Sequence, residues 1–355
     1  MRVALLTYST KPRGGVVHTL ALAEALAALG VSVTVWTLGR DGDGGFFRPV
    51  GVPVRVVPFV PLDGESVGER ILRSIAVLRE AFDPSDYDVV HAQDCISANA
   101  VRGVPYVRTV HHLDQFTTPE LAACHERAIM EPFAHVCVSA AVAAEVRAGW
   151  GLSPTVIPNG VDAARFAAAR PATHLGRYVL AVGGIEPRKG SIELLEAFAE
   201  LRRPDVELVI AGGETLFDYR EYRARWEARA AALGVEPLVL GPVPHEELPS
   251  LVAGAAAFAF PSTKEGFGLA AMEALAAGVS VVTSDLPVLR EVFGSAVRFA
   301  GSVDALAGAL AEALDHPHDP APGRALAQSY TWTTAARAHL DFYRAKVASV
   351  SGLVE

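Results

Sequence analysis

The chain has 355 residues, enough for about two domains, and 51% of them are apolar against 20% charged, which supports substantial buried cores. Acidic residues number 40 and basic residues 31, a formal charge of −9 that argues against nucleic acid or an anionic membrane as the main partner. Cys95, Cys124 and Cys137 are odd in number and lack C-x-x-C spacing, so free thiols in a reducing compartment are expected.

The opening "MRVALLTYST" carries neither the long apolar region nor the small-residue cleavage site of a signal peptide. The longest apolar run, "LVAGAAAFAF" (251–260), is about half of what a bilayer span requires. A soluble, cytoplasmic protein is expected.

In chain order, "RVALLTYS" (2–9) is a buried-strand pattern ended by "TKPRGG". Leu20, Leu22, Ala23, Leu26 and Leu29 then recur at helical spacing over 16–30, with Gly30 as the stop, and "VSVTVWTLG" is the next strand. This strand–helix–strand unit predicts a parallel sheet. Over 67–82, Ile71, Leu72, Ile75, Leu78 and Phe82 share one helical face and Arg70, Arg73 and Arg79 lie elsewhere. A core-packed helix is the stronger reading and peripheral membrane docking the weaker. Further strands are predicted at "YDVVHAQD", "VPYVRTVH", "HVCVSA" and "TVIPNG". The unit repeats from 177, with "RYVLAVGG" a strand, "IEPRKG" a turn, "SIELLEAFAELR" a helix and "VELVIAGG" a strand. "PLVLGPV", "AAAFAFP" and "VSVVTSD" complete the second half, "DHPHDPAPG" (315–323) is predicted as a loop, and the final "WTTAARAHLDFYRAKVASV" as an amphipathic helix. The expected fold is α/β, with two Rossmann-like, doubly wound parallel-sheet domains that carry ligand loops at the carboxyl ends of their strands. The first is predicted at 1–170 and the second at 171–332, with a linker near 168–177 and residues 333–355 packing back on the first.

The stretch "FAFPSTKEGFGLAAMEALAAGVSVVTSD" (258–285) holds the most chemistry. A strand, a glycine turn at Gly266–Gly268 and a helix N-terminus form a seat for phosphate, because unpaired N–H groups and the positive helix end converge there. Ionised carboxylates only accept hydrogen bonds, so Glu265 and Glu273 suit hydroxyl groups and not phosphate. Glu273, a turn or more into the helix, reaches a ribose diol, and Glu265, on the turn, reaches hydroxyls of a second sugar. A sugar–diphosphate–nucleoside has hydroxyls at both ends and its charge in the middle. Arg188 and Lys189, on the turn after the second half's first strand, suit a diphosphate whose charge grows as its bond to the sugar breaks. A solvated charge pair is the competing reading.

The pattern E-G-F-G-L-x-x-x-E, followed by A-x-A-x-G, resembles the donor-site motif of retaining glycosyltransferases of the two-Rossmann (GT-B) fold. More closely, the chain resembles the large bacterial family 4, glycosyl transferases group 1, which includes sucrose-phosphate synthases and lipid-linked mannosyltransferases. "RGGVVHTLALAEAL", "RTVHHLD", "CVSAAVAAEV", "VIPNGVDAARF", "VGGIEPRKG", "LGPVPHEELPSL" and a final "YTW" fall in family order along nearly the whole chain. The resemblance implies donor contacts from Gly14 and Gly15, from Lys189, from Glu265, Gly266, Phe267, Gly268 and Leu269, and from Glu273. It implies catalytic roles for His111, Arg188, Lys189 and Glu265, with His111 near the anomeric centre of the transferred sugar. Gly184 stands where the family usually has its Arg, so Arg188 is a variant placement, and His112 replaces an Asp common in the family.

The implied reaction moves a hexosyl group from a nucleotide-diphosphate sugar, UDP- or GDP-linked, with retention. The acceptor, whether small molecule, glycan or lipid-linked, is left open. The donor is a substrate, and no cofactor or metal is expected. "DGD" (41–43) mimics a metal-binding acidic pair but sits in turn composition, and "HPH" (316–318) lacks further ligands at zinc-like spacing. A nucleotide-sugar epimerase of the same fold is the main alternative. A nicotinamide oxidoreductase is disfavoured because the first turn reads P-R-G-G-V and not G-x-G-x-x-G. A non-catalytic sugar-binding protein is disfavoured by the cation-lined turn.

Overall fold

The computed structural model of the chain describes residues 1–40, 42–101, 103–113, 119–212 and 219–351. It divides into two compact units, Met1–Gly160 together with the segment from Trp332, and Val161–Thr331. The segment expected as a linker lies inside the second unit, where the Ala172 amide donates to the Ser250 carbonyl at 2.9 Å.

The first unit contains β1 (Arg2–Leu6), α1 (Gly14–Ala28), β2 (Ser32–Arg40), β3 (Val54–Phe59), α2 (Val67–Ala81), β4 (Val89–Ala92), α3 (Cys95–Ala100), β5 (Val107–Val110), α4 (Pro119–Met130), β6 (Ala134–Cys137), α5 (Ala140–Trp150) and β7 (Thr155–Val156). Among the described residues its strands form one parallel sheet of seven, in the order β3-β2-β1-β4-β5-β6-β7. Helices cover both faces, which is why the central strands read as unbroken apolar runs. Val3 and Leu5 of β1 join the core beneath α1, whereas Ala4 and Leu6 face the opposite core with Phe82 and Tyr106. On α2, Ile71, Ile75 and Leu78 are buried while Leu72 is 41% exposed, so the apolar face packs inward and is narrower than its periodicity suggests. β3 is not among the strands that the sequence predicts. Among the described residues it is an edge strand paired only with β2, and Pro58 is tolerated there because an edge residue needs no donor on its outer side.

The second unit contains α6 (Ala163–Ala167), β8 (Tyr178–Val182), α7 (Ser191–Leu201), β9 (Glu207–Ala211), α8 (Arg220–Leu233), β10 (Leu238–Gly241), α9 (Leu248–Gly254), β11 (Ala257–Phe260), α10 (Leu269–Ala277), β12 (Val281–Ser284), α11 (Pro287–Phe293), β13 (Arg298–Ala300), α12 (Val303–Asp315) and α13 (Pro320–Ser329). Its parallel six-stranded sheet, counted among the described residues, runs β10-β9-β8-β11-β12-β13. The loop expected over 315–323 is shorter than that, because α13 begins at Pro320. Asp319 caps it through the Ala321 amide at 3.0 Å, and a proline at the first helical position needs no donor. Turn-like composition here marks a helix start.

The last helix, α14 (Trp332–Ser351), packs along α1 and completes the first unit's core with Ala336, Leu340 and the fully buried Tyr343. Four imidazoles gather beside it. His91 is hydrogen-bonded to the Tyr343 hydroxyl and to Thr109 Oγ1, each at 2.7 Å. The His18 ring lies 6.0 Å from His339 and 4.8 Å from His111. Burial first, then repulsion from the His339 imidazole, pushes His18 down to about 3, and burial pushes His339 down to about 4. Both are neutral in the fold, whereas an unfolded histidine titrates near 6.5. As pH falls below about 6.5 the unfolded chain takes up protons that the folded chain refuses, so stability drops until the folded values are reached, at about 1.4 kcal/mol per pH unit for each imidazole. The melting temperature is therefore expected to fall steadily from pH 6.5 to pH 4, and less steeply in His339→Gln. A flat melting temperature across that range would contradict this.

Candidate active site

In the second unit the strand order reverses at β8, which lies between β9 and β11, and ligands of doubly wound sheets sit outside the carboxyl ends at such a point. Two loops converge there, 183–190 after β8 and 261–268 after β11. They lock together because the Thr263 amide donates to the Arg188 carbonyl at 2.8 Å. Gly190, at φ +62°, passes so close to the Pro261 carbonyl that a Cβ would overlap it. Glu265, Arg188 and Lys189 thereby meet on one oxygen. Glu265 Oε1 accepts from Lys189 Nζ at 2.5 Å and from Arg188 Nη1 at 3.1 Å. Arg188 also donates to Glu186 Oε1 at 3.0 Å and to the Lys264 carbonyl at 3.3 Å. The Lys189 ammonium sits 5.0 Å from the centre of the Phe260 ring.

Gly268, at φ +93°, is the cap of α10, and the turn Gly266–Phe267–Gly268 is buried. Phe267 is 3% exposed with its ring 5.2 Å from that of Tyr330, so only its backbone is left to meet a ligand. Leu269 opens α10 and Glu273 is its fifth residue. Burial raises the Glu273 carboxyl to about 7, opposed by the positive charge of Arg165 and reinforced by Asp162. The group expected to be a fixed carboxylate is thus balanced between its two forms near neutrality.

In the first unit, Gly14 and Gly15 open α1 and His111 follows β5. A Cβ at Gly15 would stand 3.5 Å from His111 Cδ2, so the helix start and this imidazole are adjacent. His18 Nδ1 donates to Asn159 Oδ1 at 2.8 Å and backs His111 edge-on. Burial first, then His18, Arg108, His112 and His91, holds His111 well below the usual histidine range. It is a neutral hydrogen-bonding group at pH 7, and its shielded Nε2 has no protein partner among the described residues.

Each unit thus gathers its own expected residues, Gly14, Gly15 and His111 in the first and Arg188, Lys189, Glu265, Gly266, Phe267, Gly268, Leu269 and Glu273 in the second. Sequence reasoning passed over Gln93, Ser262 and Arg165. The Gln93 carboxamide and the Ser262 hydroxyl are buried without hydrogen-bond partners among the described residues, a state that folded proteins rarely leave unanswered. Only their places at strand ends, in "HAQD" and "FPST", could have marked them. Asp43 accepts from Thr10 Oγ1 at 2.6 Å and pairs with Lys11 at 2.9 Å, and Asp41 lies outside the described residues. Among the described residues, no group of three or more His, Cys, Asp or Glu is arranged to hold a metal, and no helix is long and apolar enough to cross a membrane.

Two Rossmann-like units with loops gathered at the switch points define the GT-B class of glycosyltransferases, and comparison with known proteins agrees. "Glycosyltransferase Family 4" matches residues 12–165 and "Glycosyl transferases group 1" matches residues 167–327. The chain belongs to this glycosyltransferase family. It is 30% identical to the phosphatidyl-myo-inositol mannosyltransferase of Mycolicibacterium smegmatis, over 89% of this chain and 85% of that one. Among solved structures, the sucrose-phosphate synthase of Thermosynechococcus elongatus superposes with a TM-score of 0.80 at 20% identity, over 98% of this chain and 99% of that one. The Anabaena protein HepE, in complex with UDP and glucose, superposes with a TM-score of 0.73 at 19% identity, over 97% of this chain and 100% of that one.

Proposed function

We propose that this glycosyltransferase moves a hexosyl group from a UDP- or GDP-linked sugar to an acceptor hydroxyl, with retention and without a metal ion. The observation that carries the proposal is the meeting of Arg188 and Lys189 on Glu265 Oε1 beside the glycine-capped start of α10. An arriving diphosphate takes over the two cations, the α10 amides meet its oxygens, and Glu273 receives the ribose diol. Glu265 then turns to the hydroxyls of the transferred sugar. The acceptor oxygen attacks the anomeric carbon on the face the diphosphate leaves. As the carbon–oxygen bond breaks, its electron pair passes to the diphosphate and a phosphate oxygen takes the acceptor's proton. Growing charge on the leaving group is offset by Arg188, Lys189 and the amides of Gly266–Gly268. In this reading the second unit serves the donor, and the first serves the acceptor through the α1 start and His111. Neutral His111 hydrogen-bonds the sugar near its anomeric carbon and does not act as an acid. UDP bound to HepE supports a uridine donor, and the mannosyltransferase relative a mannosyl group.

UDP- and GDP-sugars are offered with EDTA present, and thermal stabilisation and nucleotide release are read. The matching donor at a hundred times its dissociation constant should stabilise the protein by about 2.7 kcal/mol. Nucleotide release should require an acceptor and should survive EDTA. Release without acceptor would favour epimerase or hydrolase chemistry, and activity lost to EDTA and restored by Mn²⁺ would contradict the metal-free reaction.

A further inference from the structure

Arg165, in the short helix α6, belongs to neither loop of the donor turn, yet it is hydrogen-bonded to the loop between β10 and α9, part of the family-like stretch "LGPVPHEELPSL", and its charge acts on Glu273. Its Nη2 donates to the His245 carbonyl in the loop between β10 and α9. Its own amide is capped by Asp162 Oδ1 at 3.3 Å, so the base of the side chain is fixed at the helix start. Helix α6 packs on both α9, which follows that loop, and α10, which carries Glu273. We propose that Arg165 is a positioning residue for nucleotide capture, holding the 242–247 loop by its His245 carbonyl while presenting a positive charge to the Glu273 carboxylate that receives the ribose.

The charges around Glu273 come from one side. From α6, Arg165 favours its ionised form and Asp162 disfavours it, with burial the larger influence. Helix α13 brings Arg324, which donates to the Ala277 carbonyl at 3.2 Å at the far end of α10. The segments of α9, β11 and β12 contain no ionisable side chain. Glu273 is the one ionisable residue of α10 itself. A diol needs an acceptor, which only the ionised carboxylate supplies in full. Nucleotide affinity is therefore coupled to a single protonation that Arg165 and Asp162 push in opposite directions. Arg165 acts on the ribose carboxylate through this charge and on the 242–247 loop through the carbonyl it holds, so one residue links that loop to Glu273.

This inference rests on the donor-site reading, and one titration series separates the two. The dissociation constants of UDP, GDP and ADP are measured by calorimetry from pH 5.5 to pH 8.5 for wild type, Arg165→Gln, Arg165→Lys and Asp162→Asn. The Asn side chain keeps the helix cap, so Asp162→Asn removes a charge with little loss of structure. For wild type, the best-bound nucleotide should weaken about tenfold per pH unit below a midpoint near 7. Arg165→Gln should move that midpoint up by about one pH unit and weaken binding roughly tenfold at pH 7, whereas Arg165→Lys restores most of both. Asp162→Asn should move the midpoint down. Midpoints unchanged in both Arg165→Gln and Asp162→Asn, with wild type binding normally, overturn this inference alone. Absence of binding of all three nucleotides to wild type overturns the donor-site reading and this inference with it.

Discussion

A Lys189→Ala protein is expected to stay folded and to transfer sugar about a hundred- to a thousandfold more slowly. Removing one donor aimed at developing charge costs on the order of 2.7–4 kcal/mol in comparable sites. Lys189 is placed for that role, with Nζ 2.5 Å from Glu265 Oε1 and over the Phe260 ring. It is also dispensable to the loop, since the Thr263 and Glu186 links run through Arg188. Charge on the leaving diphosphate is greater in the transition state than in the bound donor, so kcat should fall more than KM rises. Lys189→Arg should recover part of the loss. Arg188→Ala should differ in kind, because Arg188 fastens Glu186 and the Lys264 carbonyl and its loss should lower the melting temperature as well. Kinetics of the three variants with saturating acceptor decide the matter. A Lys189→Ala enzyme within threefold of wild type would show that the diphosphate's charge is met elsewhere.

Glu265→Gln is expected to separate nucleotide binding from transfer. Glu265 Oε1 pairs with both cations, so a diphosphate has to displace a carboxylate to reach them. Gln is nearly isosteric and uncharged, and it competes more weakly. Bare nucleoside diphosphate should therefore bind Glu265→Gln as tightly as wild type, or more tightly. Transfer should nonetheless fall roughly a hundredfold, because Gln accepts from the sugar hydroxyls without the charge that strengthens those bonds, worth about 1.5–3 kcal/mol. Intact donor should lose the affinity that the sugar contributes. This expectation is sharper than the sequence allowed, where Glu265 and the two cations belonged to different parts of the ligand.

The doubly wound halves were legible because β1, β8 and β11 are buried on both faces and their apolar runs carry little ambiguity. The edge strand β3 and the three-residue β13 were not, since edges obey weaker pattern rules and short strands leave too few residues to show a period. Gly266–Gly268 could be read as a turn over a helix start because a cap at φ +93° selects for glycine. The shared Glu265 oxygen could not be read, because it depends on Gly190 letting one loop pass against Pro261 of another, 71 residues on in "RKG" to "FPST" terms. Arg165 was hidden for the same reason. It precedes Glu273 by most of the second unit, and only the packing of α6 on α10 brings its charge to bear.

The measurement that bears most directly on the donor site is calorimetric titration of UDP and GDP into wild type, Glu265→Gln and Glu273→Ala at pH 8, where the Glu273 carboxyl is mostly ionised. One nucleotide should bind wild type with a single site. Its affinity for Glu265→Gln should be unchanged or higher, and its affinity for Glu273→Ala should fall roughly ten- to hundredfold, the loss of a charged acceptor for the ribose hydroxyls. A Glu273→Ala protein that binds the nucleotide as wild type does, or a folded Glu265→Gln protein that no longer binds it, would contradict the assignment of the ribose to Glu273 and of the transferred sugar to Glu265.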